Sequence, residues 1–325
     1  MLKSSQKGQI LLTVILVLII ASTIGLSVAS RSIISLKTST EEAESQKALF
    51  AAEAGIERAI QSNVIATGED IIQGNNTSNN SKYTTTVAKV QGSSFLLNGG
   101  STIAAPTPPA GGPTPTPKII PNVVPKDEGA DIWFVGHDAN GNPDYNAKIS
   151  GLSSLNLNLY WKSPPGSPSE DCSTSAAPPA IELIAVTRNS ATDIKTYRYT
   201  YDSCPGRGNN FTPAVHQVDE NGAGNIPVPE LSGVTFSNKM QDPINLSSPS
   251  LQNIVLMRVI PIYRDAVIAV SACNNGGQCN ISLSPQGYII SSTGTSGEAS
   301  RTLTNFKGYL QTYLPYVSYG LFVAN

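Results

Sequence analysis

Four cysteines carry the clearest chemistry in this chain, and their positions suit bridges better than a metal site. Cys172 precedes a strand-like run at residues 181–187, and Cys204 follows a second run at residues 194–202. Antiparallel pairing of those runs brings both thiols to one end. Cys273 and Cys279 bracket NNGGQ, a tight-turn sequence between two further strand patterns. The predicted bridges are Cys172–Cys204 and Cys273–Cys279, although four cysteines allow three pairings. In the chain-entropy description, closing the larger loop stabilises by about 3 kcal/mol and closing the smaller one by less. All four lie in the C-terminal bulk, which implies an oxidising compartment for that part. With only two histidines, a zinc-type site has few ligands to draw on.

One stretch has the oxygen pattern of a calcium loop: Asp138, Asn140, Asn142 and Asp144 stand at alternate positions. Pro143 sits where such a loop needs its turn glycine, and Ile149 sits where it needs the closing glutamate. The run therefore also fits an Asx-rich turn after a strand at 132–135, and no metal is assigned. His137 and His216 lack the surroundings of a catalytic base, and neither G-x-S-x-G nor a P-loop occurs. The S-x-x-K match at Ser4–Lys7 lies in the N-terminal tail. Tyr197, Tyr199 and Tyr201 form a row on one strand face, a pattern that fits a binding surface or simple sheet coverage. No cofactor and no enzymatic activity are expected.

These residues need a scaffold, and the sequence after residue 83 reads as β-structure. Leu155, Leu157, Leu159 and Trp161 alternate with polar residues and Tyr160, placing the leucines and the tryptophan on one face. Strand patterns recur at 83–90, 94–97, 254–263, 266–272, 281–284, 288–293 and 300–306, with Pro261 pointing to an edge or a bulge. The fold class is α+β: a long N-terminal helix followed by an antiparallel, β-rich domain of sandwich type over residues 83–325. Residues 63–82 read as a polar, Asn-rich connector, too poor in apolar residues to pack. A proline-rich stretch at 105–125 fits a surface loop within that domain or a linker. Charged residues make up 14% of the chain, the formal net charge is −2, and the basic residues are scattered. That excludes nucleic acid as an expected partner.

The N-terminus is organised differently. MLKSSQKG leads into residues 10–29, twenty positions without a charge, long enough at about 1.5 Å per residue to cross a hydrocarbon core. Residues 1–8 read as a leader, 9–30 as the transmembrane helix half and 31–62 as an amphipathic continuation, with no turn signal between the halves. Ser27-Val28-Ala29 would serve as a signal-peptidase site, but the apolar run exceeds the usual signal length and the helical pattern continues past it. Basic residues are balanced across the span, Lys3 and Lys7 before it against Arg31 and Lys37 after it. The cysteines decide the orientation: N-terminus cytoplasmic, bulk extracytoplasmic. Ala21, Gly25 and Ala29 fall four residues apart on one helix face, a small-residue stripe suited to helix packing. Further on, Leu49, Ala52, Ile56, Ala59 and Ile60 recur at helical spacing and predict the buried stripe of the second half. Gly55 interrupts the pattern at a cost of about 1 kcal/mol relative to Ala, which a close contact or simple tolerance would account for.

A leader ending in Gly8, an apolar helical half and an amphipathic helical half together resemble the N-terminal region of type IV pilin-like proteins. The run ALFAAEAGIERAI at residues 48–60 is similar to the corresponding region of PilX-type minor pilins. The resemblance covers residues 1–61. It implies cleavage between Gly8 and Gln9 by a prepilin peptidase, methylation of the new terminus, and storage in the cell membrane. The helix would then pack with other pilin-like subunits in a pilus or related filament. Two departures stand out. Major pilins of this family carry a glutamate at the fifth mature position, which here is Thr13, and Gln9 replaces the usual Phe or Met. A buried ammonium without its carboxylate is costly, so the resemblance implies a minor, initiating or tip subunit. The alternative reading is a single-pass anchored surface-binding or adhesion protein that does not polymerise, and an extracytoplasmic enzyme stands behind both.

Overall fold

The computed structural model describes residues 7–61, 71–76, 80–99, 101–103, 118–120, 123–138, 140–149, 151–173, 177–220 and 222–309. They fall into two compact units. The first takes the helix through Arg58 together with Ile71–Thr85 and Ser291–Leu303, and the second takes most of the remainder.

In the first unit a single α-helix runs unbroken from Lys7 to Gln61, 55 residues or about 80 Å. Nothing in this stretch breaks it: there is no proline, and three of its threonines bond back to their own helix. Thr23 donates its hydroxyl to the carbonyl of Ile20 at 2.8 Å, and Thr38 and Thr40 donate to Ile34 and Leu36 in the same way. A hydroxyl spent on its own helix can sit in an apolar surround without an unmet polar group. The helix is long and apolar enough to cross a membrane, and its apolar part is bare. Leu12, Ile19, Leu26, Ile33 and Leu36 are all exposed.

The other element of this unit is a four-stranded sheet in the order Ile71–Asn76, Ser81–Lys89, Gly287–Ser296, Ala299–Gly308, the last three strands continuing in sequence beyond the unit. Ile71–Asn76 corrects the expectation of a connector over 63–82. An outermost strand is held by main-chain hydrogen bonds and needs few apolar side chains, so its composition hides it.

The second unit is built on one long sheet. Its strand order is Ser94–Leu96, Val267–Asn274, Leu155–Lys162, Asn238–Met240, Thr212–His216, Ile194–Asp202, Ala180–Arg188, Ile254–Ile262, Ala130–Trp133, with Ile244–Asn245 also on Leu155–Lys162. The sheet curls. Leu155, Leu157, Leu159 and Trp161 near one end share a core with Ile181, Leu183, Met257 and Val259 near the other. The strict alternation of the leucine strand is the reason, since every second residue points inward. Pairing is antiparallel except where Tyr201 meets Thr212 and Asp202 meets Pro213, which run parallel. That parallel step corrects an all-antiparallel expectation, and it follows a short turn at Pro205–Arg207.

Residues 281–284 form no strand. Leu283 is buried in the core but is tied through its N–H to the Gly92 carbonyl at 2.9 Å, so an apolar residue is anchored without a ladder. Pro261 lies inside the sheet opposite Ile181, beyond Val259, where the ladder to Ala130–Trp133 stops. There its carbonyl accepts from Asp127 N–H. Short strands Ser101–Ile103 and Lys118–Ile120 pair across the proline-rich stretch, of which residues 104–117 and 121–122 lie outside the described residues.

Candidate functional site

The candidate functional surface begins at the helix. Gly8 and Gln9 lie in its first turn, one residue past its start at Lys7. Ala21, Gly25 and Ala29 are exposed, and a Cβ placed on Gly25 would meet nothing within 4 Å. The small-residue stripe therefore has no partner among the described residues. For Thr13 only the helical backbone is described.

The second half of the helix is seated, and on smaller residues than expected. The buried stripe is Ala48, Ala51, Ala52, Gly55 and Ala59, while Leu49 and Ile56 are half-buried and Ile60 is exposed. The cause lies in the strand opposite. A Cβ on Gly294 would overlap the Ala48 carbonyl oxygen and stand 2.5 Å from the Ala52 nitrogen, so the strand backbone meets the helix backbone with nothing between them. Gly55 faces Ser292, Thr85 and Tyr83 just as closely, and beneath it the Thr85 and Ser292 hydroxyls bond at 2.9 Å. Gly55 is thus a site of close contact.

At the other end of the seat, Arg301 donates to the Ser45 hydroxyl at 2.6 and 2.8 Å, and Gly297 abuts the Glu44 carboxyl. From Glu44 to Gly55 the helix rises about 16 Å, and from Gly297 to Ser292 a strand spans about 16 Å in the opposite sense. Helix and strand keep step over the whole seat.

The cysteines pair as Cys172–Cys204 and Cys273–Cys279, with Cα–Cα distances of 5.3 and 3.9 Å. Asp202 braces the first bridge. It accepts from Cys204 N–H at 2.8 Å, from Arg207 at 2.9 and 3.0 Å and from Asn209 at 2.7 Å. Arg207 lies over the Tyr263 ring at 4.5 Å and also donates to the Pro178 carbonyl.

Asp138 closes an Asx turn. Its Oδ1 accepts the N–H of Asn140 and of Asn142 at 2.9 Å, and its Oδ2 accepts the Asn142 side-chain amide at 3.1 Å. Those bonds hold its carboxyl below the usual range, the Asn142 side chain contributing most. Asp144 accepts from Asn146 N–H at 3.0 Å. The turn joins Val135–His137 to Pro143–Lys148, and Asp138 and Asp144 each accept from backbone N–H groups there; no cluster of three His, Cys, Asp or Glu suited to a metal occurs among the described residues.

Two buried polar groupings carry no sequence signal. Glu170 accepts from Ser163 N–H at 2.5 Å, the Ser237 hydroxyl at 2.5 Å and the Asn238 amide at 2.8 Å, while Asn238 Oδ1 pairs with His216 Nδ1 at 2.8 Å. A hydrolase would need a serine facing a base and open space. Here the Ser237 hydroxyl is spent on a carboxylate and is 3% exposed, and His216 reaches Asn238 instead. The arrangement clamps the loop after Leu155–Lys162 onto the sheet.

His137 makes the second grouping. Its ring stacks on Tyr309 with centroids 3.5 Å apart and meets Trp133 edge-on at 4.5 Å. Both ring nitrogens are buried without a hydrogen-bond partner. Burial drives its pKa down to about 4, with Asp138 opposing. Burial also raises the Tyr309 hydroxyl, with Tyr288 adding to the effect. Tyr197, Tyr199 and Tyr201 lean on the main core, so that row covers the sheet. Comparison of the chain with protein-family models, with curated proteins and with solved structures finds no match.

Proposed function

We propose that this chain is a minor pilin or pseudopilin-like subunit, stored in the cell membrane through its N-terminal helix and assembled into, or at the tip of, a type IV pilus or related filament. The observation that carries the reading is the division of one continuous helix. Its first half is apolar and bare, and its second half is seated backbone to backbone on the protein's own sheet. A bare apolar half needs lipid or other helices around it, and the seated half ties the helix to a sheet of the same unit.

In this reading the N-terminus is cytoplasmic in the stored state, the disulfide-bonded bulk is outside, and prepilin peptidase cuts between Gly8 and Gln9. Thr13 in place of an acid leaves the new amine without a carboxylate partner, which favours a subunit used once, at an end. Ala21, Gly25 and Ala29 are the contact stripe for a neighbouring helix. The outer domain contributes shape, and no catalytic role is assigned to it.

Mass analysis of the mature N-terminus tests the proposal. A chain starting at Gln9, and its loss in Gly8→Ala, is the expected result. Retention of Met1 in the wild-type protein points instead to an anchored surface protein that does not polymerise, and a start at Ser30 to ordinary secretion. Either result overturns the proposal.

A further inference from the structure

Strand Ile194–Asp202 is paired along its length on one side and only near its end on the other. On the first side it meets Ala180–Arg188, from Ile194 opposite Arg188 to Tyr201 opposite Ile181. On the second side Thr212–His216 joins it only at Tyr201 and Asp202. The hairpin decides which main-chain groups are left over. Asn189 donates its N–H to the Asp193 carbonyl at 3.0 Å. By the alternation of an antiparallel ladder, the pairs that exchange bonds are then Thr187–Lys195, Ala185–Tyr197 and Leu183–Tyr199. The N–H and C=O groups of Ile194, Thr196 and Arg198 therefore point away from the hairpin, and among the described residues no main chain meets them. Ile194, Lys195, Thr196 and Arg198 are exposed, and Tyr197 and Tyr199 are half-buried. The outermost edge of the same sheet is treated differently. There the Gln286 side chain accepts from Trp133 N–H at 2.7 Å and donates to the Trp133 carbonyl at 3.0 Å. An edge without such a cover is a template for another strand.

The space beside this edge has a set width. From Tyr201 onward, Thr212–His216 and Asn238–Met240 fill the two lanes between Ile194–Asp202 and Leu155–Lys162. Before Tyr201 the strands fill one lane only, where Ile244 and Asn245 pair with Leu157 and Asn156. The lane that Thr212–His216 occupies further on is empty of strands there, which leaves about 10 Å, two strand spacings, between the open edge and Ile244–Asn245. One extended segment fits that width. The same strand of a second copy does not, because it brings its own Ala180–Arg188 along its far side. The chemistry of the segment follows from the two faces, since successive side chains alternate between them. On the inner face stand Tyr197 and Tyr199, which pack against the main core and favour apolar neighbours. On the outer face stand Thr196 and Arg198, and Arg198 is already held by Glu182 at 2.9 Å, so small uncharged polar residues suit that side.

We propose that residues 194–200 form a strand-addition site for an extended segment of another protein, about six residues long and alternating apolar with small polar side chains. Main-chain bonds to Ile194, Thr196 and Arg198 supply the affinity, and the tyrosine face supplies the selectivity. The site stands whether or not the helix enters a filament.

The test uses the full chain in detergent and a fluorescein-labelled peptide of alternating threonine and valine with a lysine tail for solubility. Anisotropy reads binding, and hydrogen exchange with electron-transfer fragmentation locates it. The peptide should bind and slow the amides of Ile194, Thr196 and Arg198, while those of Lys195, Tyr197 and Tyr199, already facing the hairpin ladder, stay as they were. Thr196→Pro removes an N–H that no internal bond uses, and should weaken binding about fivefold while the melting temperature holds. The same peptide N-methylated throughout keeps its side chains but has no N–H to give; on the unaltered protein it should not bind. Four outcomes overturn the proposal. They are no anisotropy change with the parent peptide, equal binding of the N-methylated one, protection that does not alternate along residues 194–199, and a wild-type dimer that Thr196→Pro makes monomeric. The last means that a second copy holds the edge.

Discussion

Gly294→Ala is the sharpest test of the helix seat. The added methyl would meet the Ala48 carbonyl oxygen and the Ala52 nitrogen, both backbone atoms of the helix, so no side chain can swing aside. The helix has to lift from the strand, which opens the layer made by Ala48, Ala51, Ala52 and the Thr85–Ser292 hydroxyl pair. Overpacking of this kind costs about 1–3 kcal/mol, and a backbone-to-backbone clash belongs at the upper end. About 3 kcal/mol corresponds to a fall in melting temperature of roughly 6–12 °C for a domain of this size. The assay is thermal unfolding of the detergent-solubilised chain, paired with hydrogen exchange over residues 44–58, whose protection should drop. Gly25→Ala is the control: its space is empty and Ala is the better helix former, so stability should hold or rise by up to about 1 kcal/mol. Adding Ala48→Gly should not rescue Gly294→Ala, because the obstacle is the carbonyl and not the methyl. A melting temperature unchanged within 1–2 °C in Gly294→Ala, or rescue by Ala48→Gly, refutes the reasoning.

Three further outcomes follow from the second unit. His137 has a folded pKa of about 4 against an ordinary 6.5, so its contribution is fully present above pH 6.5 and is lost as the pH falls through 4. Half the full shift, allowing for solvent at the ring, is about 1.7 kcal/mol, and His137→Phe should remove that part of the acid sensitivity in melts run from pH 7 to 3.5. Replacing both Cys172 and Cys204 with serine should cost about 3–4 kcal/mol, against about 2 kcal/mol for Cys273 and Cys279, because the sequence separations are 32 and 6; denaturant titration of the two variants gives the order. Glu170→Gln puts an amide N–H where a buried carboxylate accepts three hydrogen bonds, and a loss of about 2–3 kcal/mol in the same titration is expected.

The features most legible in the sequence were those written in periodicity. The unbroken helix, the leucine strand ending at Trp161 and the hairpin from Ala180 to Asp202 all follow from spacing. What stayed hidden depends on partners remote in sequence. Of the expected stripe Ala52 and Ala59 are buried, but the large residues at 49, 56 and 60 sit at or beyond its margin, because the strand glycine that meets the helix backbone lies more than two hundred residues away. Residues 281–284 look like a strand because Leu283 is apolar, yet its anchorage is to Gly92 and not to a neighbouring strand. Ile71–Asn76 looks like a linker because an outermost strand needs main-chain bonds more than side chains. Glu170 stands nearly seventy residues from Ser237 and Asn238 and shares no motif with them, so their clamp appears only once the sheet is folded.

The seat of the helix has a consequence for biosynthesis. Ser45 and Arg301, which meet across it, are 256 residues apart in the chain. At translation rates of 5–20 residues per second, roughly 13–50 s separate the emergence of the helix from that of the strand that receives it. Throughout that interval the alanine and glycine stripe has no strand to rest on, although the bare apolar half can already enter a bilayer. Early synthesis of the helix followed by late docking gives this chain a waiting period, during which a holding factor would find residues 44–58 open to it.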